Sequence, residues 1–145
     1  MTAVSILLAL GACTAVVPLD EEPKLAQGSA VTSVWDGVYS EAQAERGEAT
    51  YRKACARCHR DDLKGEELAP SLVGATFTFR WRDQGVSDLF ASLRSSMPPE
   101  SPGSLSDQTY VDVVAFLLSA NHYPAGDNEL EPDVEALAEI AIERA

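Results

Sequence analysis

The sequence Cys55-Ala56-Arg57-Cys58-His59 decides the fold and the chemistry of this 145-residue chain. Two thiols separated by two residues can form a disulfide, act as a redox pair or bind a metal. A thioredoxin-like redox pair would follow a strand and open a helix at its first cysteine, whereas this pair ends a stretch with a helical pattern. A zinc site would need two further cysteine, histidine or carboxylate ligands, and His122 is the only other histidine. The histidine directly after the second cysteine decides between these interpretations.

A Cys-X-X-Cys pair followed at once by histidine is the attachment motif of haem c. The two thiols add to the two vinyl groups of the haem, which lie on adjacent pyrrole rings, so the sulfur atoms must be held close together. A two-residue gap in a tight helical turn meets this requirement. His59 then lies beneath the iron and supplies the fifth ligand through its imidazole. The motif therefore predicts one covalent haem c, attached to Cys55 and Cys58 and ligated by His59.

Helical patterns lie on both sides of the motif. Ser40 followed by Gln43 has the pattern of a capping box and predicts a helix from Glu41 to about Cys55. Ser106 is expected to cap another helix, from Asp107 to about Asn121. Its apolar face consists of Tyr110, Val113, Val114, Leu117 and Leu118. A short amphipathic helix before Pro98 is indicated by Val86, Leu89, Phe90 and Leu93. No convincing strand pattern is present, so we expect an all-α protein.

The N-terminus has the pattern of an export signal. Ala3 to Ala12 is an uncharged apolar run that is too short to span a bilayer. It ends in Leu10-Gly11-Ala12-Cys13, which resembles the lipobox of bacterial lipoproteins. That resemblance implies cleavage before Cys13 and a lipid on its sulfur. Met1 to Ser5 lacks the usual positive charge, and an ordinary secretory signal is the alternative. In both cases we expect the chain to leave the cytoplasm.

The charge distribution is strongly acidic and uneven. The net charge is −12 and the pI is about 4.4, which argues against nucleic acid and anionic membrane surfaces as partners. Residues 121–145 contain seven acids against one base, Arg144, and so carry half of the net charge. Within this stretch, an apolar pattern suggests a short helix or an extended segment lying on the domain: Leu130, Val134, Leu137, Ile140 and Ile142. The acids would form a docking face or simply a solvated surface.

Several short motifs surround the cysteine pair in a fixed order. They are Gly47-x-x-x-Tyr51, Ala69-Pro70-Ser71-Leu72-Val73-Gly74, Phe79-Arg80-Trp81, Met97-Pro98, the helix Tyr110 to Leu118, and Asn121-His122-Tyr123-Pro124-Ala125-Gly126. With these motifs, the chain from about Ser40 to Leu130 resembles a class I c-type cytochrome with one haem. It is most similar to the small cytochromes c that accompany bacterial quinoprotein dehydrogenases. Arg60 and Ala69 stand where the commonest pattern has glycine.

The resemblance implies a fold and a domain organisation. We expect the cytochrome c fold, with three to four helices wrapped around one covalently bound haem. Residues 1–12 would be the signal peptide and residues 13–39 a flexible tether, because the latter are rich in Pro, Glu, Gly and Ser. Residues 40–125 would be the cytochrome domain, and residues 126–145 an acidic C-terminal extension. Gly47 and Tyr51 would meet Val113 and Phe116 where the first and last helices cross.

The resemblance also implies roles for individual residues. Met97 would be the sixth ligand of the iron, because a neutral thioether favours ferrous iron and the only other methionine is Met1. Alternatively, Met97 packs in the core and His122 or water takes that position. The Pro70 carbonyl would accept the Nδ1 proton of the haem histidine, although Pro70 could equally be a simple turn residue.

Two further groups of residues, most of them basic, have expected roles near the haem. Arg80, Trp81 and Arg82 would offer hydrogen-bond donors to the haem propionates, and the alternative for Trp81 is a core position. A basic rim is expected beside the haem edge, formed by Arg52, Lys53, Arg57, Arg60 and Lys64.

The expected function is electron transfer and not catalysis, because His59 and Met97 together would leave no open position on the iron. The donor would be a dehydrogenase, and the acceptor an oxidase or another cytochrome. We expect a monomer or a subunit of a dehydrogenase complex, lipid-anchored through Cys13 on the periplasmic side of a bacterial membrane. A catalytic or sensory haem protein with a labile Met97 is the alternative.

Overall fold

The computed structural model describes residues 32–144. This part of the chain contains six helices and three very short strands. The signal peptide and Cys13 lie outside these residues. The helices are α1 Glu41–Ala54, α2 Ala56–His59, α3 Ala75–Trp81, α4 Val86–Ser96, α5 Asp107–Ala120 and α6 Val134–Ala138. The strands are β1 Thr32–Ser33, β2 Gln84–Gly85 and β3 Ile140–Ile142, and a single 3-10 turn spans Val34–Asp36. None of the helices in this range is long and apolar enough to cross a membrane.

Helices α1 and α5 form the centre of the structure, and Gly47 lets them approach closely. A Cβ atom placed at Gly47 would lie 1.9 Å from the carbonyl oxygen of Asp112 and 2.9 Å from Cβ of Phe116. One turn later, the rings of Tyr51 and Phe116 have their centroids 5.2 Å apart. The expected crossing of Gly47 and Tyr51 against Phe116 is confirmed. It holds the two ends of the cytochrome sequence together.

The predicted helix starts are confirmed, but the predicted capping box is only half formed. The Ser40 hydroxyl accepts a hydrogen bond from the backbone N–H of Gln43 at 3.1 Å. The Gln43 side chain does not return to Ser40. It is fully buried, and its Nε2 donates to Asp112 Oδ1 and to the carbonyl of Leu130. Its Oε1 accepts the Leu130 N–H. Gln43 therefore binds a distant segment instead of capping its own helix.

A buried polar cluster joins α1, α5 and the C-terminal segment around Asp112. This carboxylate is only 7% exposed, and it accepts hydrogen bonds from Gln43, Gln108 and Arg46. The Arg46 guanidinium also pairs with Glu129 at 2.7 Å. Because a buried carboxylate is costly without partners, the cluster fixes the position of the segment around Leu130. It neutralises one of the acids that were expected on the surface of the tail.

The all-α class is confirmed, although the structure has more helices than the three to four expected. The additional ones, α2, α3 and α6, have four, seven and five residues. The expectation of no strand is corrected, because β3 pairs in parallel with β1 and antiparallel with β2. Strands of two or three residues are too short to show an alternating pattern in the sequence.

The predicted domain boundaries are corrected at both ends of residues 40–125. Residues 32–39 were assigned to the tether, yet Val34 and Tyr39 are buried and the Tyr39 hydroxyl donates to the Tyr123 carbonyl at 2.5 Å. Residues 126–145 were assigned to an extension, yet three of their apolar side chains lie in the core: Leu130, Leu137 and Ile142. Within residues 32–144, the core therefore extends past both expected limits, towards β1 on one side and to β3 on the other.

Gly47→Ala tests the helix crossing. The added methyl group would collide with the backbone of α5, which is not the flexible end of a side chain, so we expect the free energy of unfolding to fall by about 1–3 kcal/mol or more. Urea denaturation measures this change. Glu45→Ala on the exposed side of α1 is the control, and it should alter the value by less than about 0.5 kcal/mol. Equal effects from the two substitutions would contradict the close approach at Gly47.

Candidate functional site

The cysteine motif lies at the junction of α1 and α2. Cys55 ends α1, and its N–H donates to the Tyr51 carbonyl at 2.8 Å. The Cys55 carbonyl in turn accepts the N–H groups of Cys58 and His59 at 3.1 and 3.0 Å. This single tight turn brings both thiols and the imidazole together within five residues of the chain. Among the described residues both cysteines are free, with Cys55 partly buried and Cys58 exposed.

His59 has a defined orientation. Its side chain is buried, and its Nδ1 lies 3.0 Å from the carbonyl oxygen of Pro70. Because a carbonyl oxygen can only accept, this contact assigns the proton to Nδ1 and leaves the lone pair on Nε2. The Pro70 contact is the one that the family resemblance implied. The imidazole is thereby prepared to bind a metal through Nε2.

Two further side chains hold the chain that follows His59. The Tyr51 hydroxyl of α1 donates to the Arg60 carbonyl at 2.6 Å, directly after the histidine. Asn121, at the end of α5, donates through Nδ2 to the Leu72 carbonyl and accepts the Gly74 N–H through Oδ1, both at 2.9 Å. Asn121 thus clamps the loop that contains Pro70. Asn121 opens one of the motifs of the family resemblance, but the motif alone does not predict these contacts, because Leu72 and Gly74 lie 49 and 47 residues away.

Met97 lies at the C-terminal end of α4 and is partly buried. Its N–H donates to Leu93 at 2.9 Å, and its carbonyl accepts the hydroxyl of Tyr110 from α5 at 2.7 Å. The backbone of Met97 is therefore fixed from two helices. The other residue considered for the sixth position, His122, is exposed in the turn after α5.

The residues expected at the propionates lie on α3 and directly after it. Trp81 is buried, whereas Arg80 and Arg82 are exposed. The guanidinium carbon of Arg80 lies 4.9 Å from the centroid of the Trp81 ring, and that of Arg82 lies 5.7 Å from the Phe79 ring. The structure thus gives both arginines an aromatic neighbour, and Trp81 occupies the core position that was its alternative.

The expected basic rim is largely neutralised by nearby carboxylates. Arg52 pairs with Glu48 in the same helix, and Arg57 pairs with Glu100. Arg60 and Lys64 share Asp62, at 3.7 and 3.8 Å. Of the five bases of the rim, only Lys53 has no ion pair with another described residue. The expectation of a locally basic rim beside the motif is therefore corrected.

The donor set fits haem c better than it fits the alternatives. Burial, with a smaller contribution from Cys58, raises the pKa of the Cys55 thiol, whereas a thioredoxin-like nucleophile needs a lowered pKa. Within residues 32–144, no group of three or more His, Cys, Asp and Glu side chains could hold a metal ion. Two free thiols in one turn, followed by a histidine with its Nδ1 already bonded, match the covalent attachment and axial ligation of a haem.

A family model described as cytochrome c oxidase, cbb3-type, subunit III matches residues 42–117, which is more than half of the chain. The chain belongs to this family. It is therefore a c-type cytochrome, as the motifs around Cys55 indicated, and a c-type cytochrome domain implies covalent haem c and electron transfer. The match begins in α1 and ends in α5, so it covers the motif, the Pro70 loop, α3 and Met97.

No curated protein matches the cytochrome. The crystal structure of the sulfane dehydrogenase SoxCD from Paracoccus pantotrophus is similar over 88% of this chain and 68% of that chain. The identity is 21% and the TM-score is 0.48.

Proposed function

We propose that this cytochrome carries single electrons through one haem, between a dehydrogenase that donates them and a respiratory acceptor such as an oxidase or another cytochrome. The observation that carries the proposal is the orientation of His59, whose Nδ1 is bonded to Pro70 while Nε2 is left for iron. The sequence contains a single Cys-X-X-Cys-His motif, which supports one haem. When bound, the haem supplies an iron that changes reversibly between the ferrous and ferric states.

Each part of the site has a separate task in this proposal. Cys55 and Cys58 would hold the cofactor permanently. The Pro70 carbonyl keeps the His59 ring in one orientation and makes it a more basic ligand. Tyr110 fixes the backbone of Met97, whose thioether would be the sixth ligand. With both axial positions filled by protein, a substrate has no position to occupy, so the cytochrome would act as a carrier and not as an enzyme.

Arg80 and Trp81 are proposed as donors to a haem propionate. Trp81 is buried and Arg80 lies over its ring, so an indole N–H and a guanidinium are held near each other on α3. Both groups donate hydrogen bonds and the guanidinium also carries a charge, which suits a carboxylate that turns into the protein.

The proposed location is the periplasmic side of a bacterial membrane, with a lipid on Cys13 as the anchor. The support is the lipobox-like Leu10-Gly11-Ala12-Cys13 alone, because these residues lie outside the described structure. We propose a monomer or a subunit of a dehydrogenase complex, and the family resemblance of the motifs supports a dehydrogenase as donor.

The Met97→Ala variant tests whether the iron is closed to ligands, as a carrier requires. Loss of the thioether should lower the reduction potential by about 0.1 V or more, because axial ligands set haem potentials over roughly 0.8 V. The ferrous variant should bind carbon monoxide, and the wild type should not. Leu93→Ala, one helical turn earlier, is the control and should keep the wild-type spectrum. A wild type that binds carbon monoxide readily would favour a sensory or catalytic haem protein instead.

The anchor is tested by metabolic labelling with a palmitate analogue in a bacterial host. The wild type should take up the label, and Cys13→Ser should lose it, because the thiol is the acylated group. A variant of the exposed haem thiol, Cys58→Ser, should retain the label. If the wild type is cleaved at another site and stays unlabelled, the protein is secreted without a lipid.

A further inference from the structure

A large aromatic side chain stands out on the surface of α3. Phe79 is 78% exposed, whereas Phe77 and Trp81 on the same helix are 1% and 7% exposed. A helix turns by about 100° per residue, so Phe79 lies on the side of α3 opposite to these two buried anchors. Exposed aromatic rings of this size are costly in water and are common at protein interfaces. Packing among residues 32–144 does not explain the position of Phe79.

The segment of chain that contains Phe79 is basic, unlike the chain as a whole. The Arg82 guanidinium lies 5.7 Å from the Phe79 ring centroid, and neither Arg82 nor Arg80 forms an ion pair within residues 32–144. Residues 69–82 contain no acid, and the first carboxylate is that of Asp83. The bases near the cysteine motif, in contrast, are mostly paired. We call Phe79 and Arg82 together the α3 patch.

The α3 patch lies on the same segment of chain as a contact to the haem ligand. The Pro70 carbonyl binds His59, and Asn121 clamps Gly74, which precedes α3. Phe79 is five residues beyond Gly74, which is about 8 Å along a helix at 1.5 Å per residue. A partner that docks on the α3 patch would therefore stand close to the segment that touches the haem ligand.

We propose that the α3 patch is the docking surface for an acidic face of the redox partner. This inference rests on the proposed function and names the chemistry of the partner: carboxylates around a shallow apolar depression that accepts Phe79. Arginine and aromatic side chains are the residues that contribute most to binding at interfaces. Because the rest of the chain is strongly acidic, an acidic partner is repelled elsewhere and is directed to this patch.

The experiment uses the holoprotein and its native membranes as the electron donor. The rate of reduction of the ferric protein is measured for the wild type, Phe79→Ser and Arg82→Glu, at low and high salt. Arg82→Glu should reduce the rate by about two- to fivefold at low salt and by less at high salt, because salt screens exposed charges. Phe79→Ser should reduce the rate at both salt concentrations. For Phe79→Ser, which carries no charge change, reduction by hydroquinone, a small neutral reagent, and the reduction potential should not change.

The matched controls lie on α6 in the acidic tail. Val134 is 52% exposed and Glu135 follows it, so Val134→Ser and Glu135→Lys repeat the two kinds of change at an acidic surface. They should leave the rate unchanged. If they slow reduction while the α3 variants do not, a basic partner docks on the tail and the inference is wrong. It is also wrong if Phe79→Ser shifts the potential, since Phe79 would then contact the haem.

Failure of the inference can be told apart from failure of the proposed function. If hydroquinone and membranes both reduce the wild type, and the α3 variants match it, only the docking surface is wrong. If the ferric wild type accepts no electron from either reagent, the electron-carrier function is wrong and the docking surface falls with it.

Discussion

The hydrogen bond between His59 Nδ1 and the Pro70 carbonyl depends on most of the fold, and the function depends on it in turn. His59 must directly follow Cys58 in the attachment motif. The group that orients its ring, the Pro70 carbonyl, comes from a loop 11 residues further along the chain. Asn121, at the end of α5, holds the Pro70 loop in place through hydrogen bonds to Leu72 and Gly74. The close approach at Gly47 then sets α5 against α1, which ends at the motif. The ligand, its partner and the helix crossing form one connected arrangement.

The C-terminal segment completes this arrangement. Gln43 and Asp112 hold the backbone around Leu130 against the two central helices. Strand β3 then joins β1 at one end of the fold to β2, which directly precedes α4. Met97 lies at the other end of α4 and is bonded to Tyr110 of α5. A segment that reads as an acidic extension is thus part of the framework that positions the proposed sixth ligand.

The haem attachment motif and the main helices could be predicted from the sequence, because their signals are local. The cysteine motif, the caps at Ser40 and Ser106 and the periodicity of α4 and α5 depend on residues close in the chain. The role of Gln43 could not be predicted, because its partners are 69 and 87 residues away. The pairing of the basic rim could not be predicted for the same reason, because Glu100 and Arg57 are 43 residues apart in the sequence. Strands of two or three residues, such as β1, leave no pattern to detect.

The central claim is that one haem is bonded covalently to Cys55 and Cys58. Mass spectrometry of the intact, denatured chain tests it most directly after expression with a c-type maturation system, because only a covalent cofactor survives denaturation. The account predicts the mass of the polypeptide plus one haem for the wild type, and the mass of the polypeptide alone for the Cys55→Ala, Cys58→Ala double variant. A wild type without added mass, or a double variant that keeps the haem, would contradict the account.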